Sequence, residues 1–148
     1  YCVLGVTAIA RGIGEVLTPL PAPADCHVII AKPPVSVSTA YVYGHIKPLE
    51  ITKRPDIEAM AQSIKDGDLK KMASLIYNVM EDVTVGEYPI ISEIKQVMID
   101  NGALNSIMSG SGPTVFGIFP DEQTALNCKE YLKRQGDARQ VYITETFN

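Results

Sequence analysis

Two rhythms of apolar residues run along this chain of 148 residues. A period near two marks a strand with one buried face, and a period near 3.6 marks a helix. The stretch "CVLGVTAIARGIGEVLTPLP" predicts two strands around an Arg11–Gly14 turn, the first beginning within Tyr1–Ile9. Pro19, Pro21 and Pro23 then predict a stiff connection, because proline cannot donate to a ladder. "HVIIAKPP" predicts a short buried strand from His27 to Lys32, stopped by Pro33 and Pro34. In "VSVSTAYVYG", Ser38 or Thr39 can cap a short helix ending at Gly44. His45 to Arg54 reads as loop.

Three helical stripes follow. Pro55 and Asp56 open the first, with Ile57, Met60, Ala61 and Ile64 on one face and Gly67 after it. Leu69, Met72, Ala73, Ile76, Val79 and Met80 form the second. Ile90, Ile91, Ile94, Val97 and Met98 form the third, ended by Asn101-Gly102. Such stripes face a core, and their methionines are read as core residues. "ALNSIMS" and "TVFGIFP" then read as strands, and Asp121 starts a helix that turns Ala125, Cys128 and Leu132 inward and ends at Gly136. "ARQVYITETF" reads as a last strand, with Val141, Ile143 and either Thr144 or Phe147 inward. From His27 onward the order is strand, helices, strand, strand, helix, strand. That order predicts an α+β fold of the ferredoxin-like type, an antiparallel sheet with helices on one face, preceded by extra N-terminal strands.

Composition narrows the function. A chain of this length buries roughly 70% of its unfolded surface, so a core needs no disulfide or metal. Net charge is −4, with no basic stripe of the kind a nucleic-acid binder shows. Cys2, Cys26 and Cys128 form no CxxC pair, which excludes a zinc or redox motif of that kind and fits a reducing cytoplasm. No apolar run approaches the roughly 20 residues of a membrane span. The chain opens on Tyr1 inside a strand pattern, and so reads as the C-terminal part of a longer protein. Residues 1–24 are then strands and linker left from an upstream domain, and 25–148 form a domain of their own.

The chemistry concentrates in "IMSGSGPTVFGIF", Ile107 to Phe119. Ser109, Gly110, Ser111 and Gly112 allow two readings. Glycines reach positive φ without steric cost, which a hairpin connection needs. Successive N–H groups in such a turn can also converge on an anion, with the serine hydroxyls as further donors. The stretch is neither GxxxxGK[ST] nor GxGxxG before a helix, so spacing alone leaves both readings open.

"MSGSGPTVFGIF" resembles the third signature motif of the GHMP kinase superfamily. "GIGEVLTPLP" followed by "AKPPVSVSTAYVY" is similar to one family within it, the 4-diphosphocytidyl-2-C-methyl-D-erythritol kinases of non-mevalonate isoprenoid biosynthesis. The resemblance covers essentially the whole chain. It implies a ferredoxin-like C-terminal domain, a Ser109-to-Gly112 loop facing ATP phosphates and substrate, and Mg²⁺ between the phosphates. It implies that Thr39 lies near a cytidine diphosphate substrate and that Tyr43 stacks on the cytosine. From the residues alone, Tyr41 or Tyr43 can equally pack beneath the loop. The family's N-terminal lysine, second glycine- and serine-rich loop and aspartate base have no match here, so no catalytic residue and no metal ligand is expected in this chain. The resemblance places that aspartate a few residues before Tyr1, in a missing N-terminal domain.

The remaining polar residues are read as structural. Glu15 follows a turn; Asp66, Asp68, Asp82 and Asp121 sit at helix edges; His27 lies in a strand and His45 in a loop. Lys32 is either a strand-end charge or a phosphate contact. The isolated chain is expected to fold without activity, in the cytoplasm, with no membrane or nucleic-acid partner; a homodimer is compatible with the sequence. Two alternatives stay open: a ferredoxin-like metabolite-binding or regulatory module, and another GHMP kinase such as homoserine kinase.

Overall fold

The computed structural model describes residues 5–46, 51 and 53–146. The expectations for Tyr1, Cys2 and Phe147, and for most of the loop between His45 and Arg54, lie outside these residues.

Strands β1 (Ala8–Arg11) and β2 (Val16–Pro19) pair antiparallel as a hairpin of their own. Gly12 and Gly14 turn it at positive φ, and the Glu15 carboxylate accepts from the Ile13 N–H at 2.6 Å. Glu15 is thereby part of the turn. β3 (His27–Lys32), β4 (Asn105–Met108), β5 (Val115–Phe119) and β6 (Gln140–Glu145) form a second sheet in the order β4-β5-β3-β6, with every pair antiparallel. Counting within this sheet, the first strand lies between the third and the fourth, which is the ferredoxin-like order.

Helix α1 (Thr39–His45) is capped by Ser38, whose side chain accepts from the Tyr41 N–H. α2 (Ile57–Lys65) and α3 (Leu69–Leu75) are capped by Asp56 and Asp68. α4 (Glu81–Glu87) and α5 (Ile90–Asp100) complete the crossover to β4. α6 (Glu122–Gln135) starts on Asp121, which accepts from the Thr124 N–H, and stops at Gly136 with φ of 79°. Those hydrogen bonds hold the Asp121 carboxyl below its ordinary range. Among the described residues no helix is long and apolar enough to cross a membrane.

The main core lies between the sheet and α5–α6. Ile29, Val115 and Phe119 meet Ile91, Ile94 and Met98 from α5 and Ala125, Cys128 and Leu132 from α6, all fully buried. Val141 and Ile143 join that face, whereas Thr144 falls on the other. The α+β ferredoxin-like expectation holds, with one correction: helices cover more than one face. Cys26, Ile118, Val28 and Phe116 pack beneath Met72 and Ala73 of α3 and Met60 and Ile64 of α2. The cause is visible in "HVIIA" and "VFGIF", apolar at successive positions, as strands covered on both faces are.

The second stripe is also corrected. The helix ends at Leu75, and Glu81–Glu87 forms a helix that periodicity did not predict. Ile76 packs in the α2–α3 cluster and Met80 against the α5–α6 core. One helix cannot send two residues four apart to opposite faces of a sheet. The chain crosses between the faces at 76–80.

Candidate functional site: the glycine-rich hairpin loop

Ser109 to Thr114 connects β4 to β5, beyond the Met108–Val115 pair. The stretch is therefore a hairpin connection, and its conformation also meets the needs of an anion nest. Gly110 and Gly112 have φ of 56° and 88°, while Ser111 between them is at negative φ, and such alternation turns successive N–H groups toward one side. The Ser109 N–H donates to the Thr114 carbonyl at 2.8 Å and the Gly112 N–H to the Ser109 carbonyl at 3.0 Å. Among the described residues, the N–H groups of Gly110 and Ser111 donate to no partner. Position 112 suits glycine: at φ of 88° any side chain is strained, and an added Cβ would lie 2.5 Å from the Met108 sulfur, which would have to move. At Gly110 the space is open, as close approach of a ligand requires.

The loop rests on residues the sequence reading missed. Asn78 Nδ2 donates to the carbonyls of Met108 and Gly110, both at 2.8 Å, and its Oδ1 accepts from the Met80 N–H. The Thr84 hydroxyl, almost fully buried, lies 3.2 Å from the carbonyls of Met80 and Ser111. Glu81 accepts from the Met108 N–H and pairs with Lys95. Asn78 sits where the chain crosses between sheet faces, and Glu81 and Thr84 in the helix that follows, which no apolar pattern reports.

Thr39 and Ser111 meet, their hydroxyls 3.0 Å apart. Four residues on along α1, Tyr43 shares the Thr39 side of the helix and is 60% exposed. Tyr41, also exposed, is tied down on the surface: it donates to Glu87 at 3.2 Å and stacks on His45 at 3.9 Å between ring centroids. Desolvation, then the Glu87 carboxylate, raises the Tyr41 phenol above its ordinary value and keeps it a donor. His45 ends α1 rather than lying in a loop. Lys32 stands exposed at the loop end of β3. An open cavity of about 360 Å³ lies at the opposite end of the sheet, lined by His27, Glu122, Ile143, Thr144 and Glu145, and does not reach the loop.

Loop and α1 together present N–H and hydroxyl donors beside an open aromatic ring. Such a surface suits a phosphate carried on a planar base. Glu81, the carboxylate at the base of the loop, is committed to Met108 and Lys95. No cluster of metal-ligating side chains occurs among the described residues.

The chain is 52% identical, over 99% of its length, to a 4-diphosphocytidyl-2-C-methyl-D-erythritol kinase of Lachnospira eligens, covering 51% of it. It is 46% identical over 99% of its length to the same-named kinase of Lachnoclostridium phytofermentans, covering 50% of that protein. The chain thus spans about half the length of the curated relatives it matches. A crystal structure of a 4-(cytidine 5'-diphospho)-2C-methyl-D-erythritol kinase superposes with a TM-score of 0.77 at 26% identity, over 97% of this chain and 50% of that one. Residues 58–138, from α2 through the loop to α6, match the family described as GHMP kinases C terminal. With more than half of its length under that one model, loop included, the chain belongs to the GHMP kinase C-terminal family.

Proposed function

We propose that this chain is the substrate-side, C-terminal half of a cytoplasmic kinase that transfers the γ-phosphoryl of ATP to the 2-hydroxyl of 4-diphosphocytidyl-2-C-methyl-D-erythritol. The observation that carries the reading is the meeting of Thr39 with Ser111, which brings the run similar to the cytidine-kinase family against the glycine loop. The 52% identity to a protein of that name supports the substrate.

In this reading residues 1–24 connect to an upstream domain, and 25–148 form the substrate-side domain. The separate β1–β2 hairpin supports that division. Phosphoryl transfer rests on positioning and charge stabilisation. The Gly110 and Ser111 N–H groups and the hydroxyls of Ser109 and Ser111 bind phosphate oxygens. Thr39 fixes the substrate relative to them, and Tyr43 stacks on the cytosine. Mg²⁺, when bound, neutralises phosphate charge; no residue of this chain is assigned to it. The general base and the second phosphate loop belong to the upstream domain, so the isolated chain folds without transferring phosphate.

The test is phosphate transfer from ATP by the full-length protein, with the diphosphocytidyl substrate, homoserine and mevalonate offered side by side. Preference for the cytidine substrate is expected. Preference for another alcohol removes the Tyr43 role and keeps the family. No transfer to any, by folded protein with Mg²⁺, returns the loop to a plain hairpin and favours a metabolite-binding module.

A further inference from the structure

Asn78 is the only described side chain that bonds both the last carbonyl of β4, on Met108, and a carbonyl of the β4–β5 connection, on Gly110, and it belongs to neither strand. Its amide is fully used: both bonds from Nδ2 go to Met108 and Gly110, and Oδ1 takes the Met80 N–H. The peptide linking Gly110 to Ser111 is trans. In a trans peptide the C=O and N–H point in opposite directions. Drawing the Gly110 carbonyl inward to Asn78 therefore drives the Ser111 N–H outward. The Thr84 hydroxyl anchors the next peptide by donating to the Ser111 carbonyl, while the N–H of that peptide, on Gly112, bonds the Ser109 carbonyl. Glu81 fixes the start of the loop from the same side, through the Met108 N–H.

We infer that Asn78 is a positioning residue: by holding the Gly110 carbonyl it aims the Ser111 N–H at the phosphate, so that loop geometry and nucleotide affinity depend on a side chain in the face-crossing segment. This rests on the phosphate-facing reading of the loop. Asn78 touches no substrate; it acts through the peptide plane.

The experiment is steady-state kinetics of full-length Asn78→Asp and Asn78→Ala, varying ATP and the cytidine substrate separately. Aspartate keeps the shape and the Oδ1 acceptor, but sets a carboxylate oxygen against two carbonyls. Both variants are expected to raise the ATP KM about tenfold or more and to leave the KM for the cytidine substrate within twofold. The ratio of Asn78→Asp to wild-type kcat/KM for ATP should also rise as pH falls toward the carboxyl pKa, where a protonated carboxyl can donate again. A merely structural residue would lower the amount of active enzyme and move neither KM. That result overturns the inference, as does a wild-type ATP KM in folded Asn78→Asp, or failure of both variants to fold. Gly110→Ala and Ser111→Ala separate the two levels. If they shift the ATP KM and the Asn78 variants do not, the positioning role fails and the phosphate reading stands. If they too leave it unchanged, the phosphate reading itself fails.

Discussion

At the scale of single residues, Tyr43 and Thr39 show what a sequence can and cannot tell. Their helix was legible from Ser38 and the spacing after it, and the structure caps it there. That Thr39 would meet Ser111 was not, because no local pattern links residues so far apart; only resemblance drew them together. The choice between Tyr41 and Tyr43 was equally undecidable from spacing; the bond from Tyr41 to Glu87, a carboxylate on another helix, distinguishes their surroundings and lies outside any local pattern. In the proposed role, Tyr43→Ala removes a base-stacking contact worth about 1–3 kcal/mol, a loss on the order of 5- to 150-fold in affinity for the cytidine substrate. Thermal unfolding should be nearly unchanged, since the ring is mostly in solvent. An unaltered KM for the cytidine substrate in full-length Tyr43→Ala would remove the stacking role.

Elements were legible where a stripe met one core. α5 is the clearest case, with Ile91, Ile94 and Met98 all fully buried as periodicity required. α4 was missed for a physical reason. "EDVTVGE" carries two β-branched valines, a threonine and a glycine, all weak helix formers, and its buried residue is Thr84, a polar one. Its place is secured by the loop it supports and by Val85, a single apolar residue packed against the main core. The overextended second stripe has another origin: the backbone turns extended at Ile76, so Met80 beyond it belongs to a different face. A matched pair measures how differently stripe positions count. Ile94→Ala should cost about 2–5 kcal/mol, and Ile57→Ala, nearly half exposed on α2, under about 0.5 kcal/mol. Chemical denaturation of the two variants checks this; equal losses would mean that α5 is not seated in the core as described.

For the whole molecule, the order of strands and helices followed from alternation and capping, while coverage of the sheet did not. The apolar runs "HVIIA" and "VFGIF" held that information, but a short continuous run is compatible with either one or two covered faces. The closed core also sets an alkaline limit. Burial pushes the Cys128 thiol up from 9.0 to about 11, and burial raises Cys26 as well. The folded state therefore holds the Cys128 proton more tightly than the unfolded chain does. That contribution is complete below pH 9 and is lost as pH rises toward 11. Denaturation midpoints measured between pH 8 and 10.5 should fall, and less steeply in Cys128→Ala. Parallel slopes in the two proteins would show that the thiol does not titrate with unfolding.

The place of β3 in the middle of its sheet has a consequence for how the chain is made. Ile29 and Ala31 emerge from the ribosome well before their partners: one neighbour waits for Val115 and Gly117 and the other for Val141 and Ile143. Closing such distant pairs is slow, because the entropy of the long intervening loop is lost before any contact compensates it. Throughout translation the nascent chain therefore carries an unpaired, apolar strand edge, the kind of surface that chaperones bind and that aggregates when they do not. Premature termination anywhere before Gln140 would release a product that keeps this edge open for good.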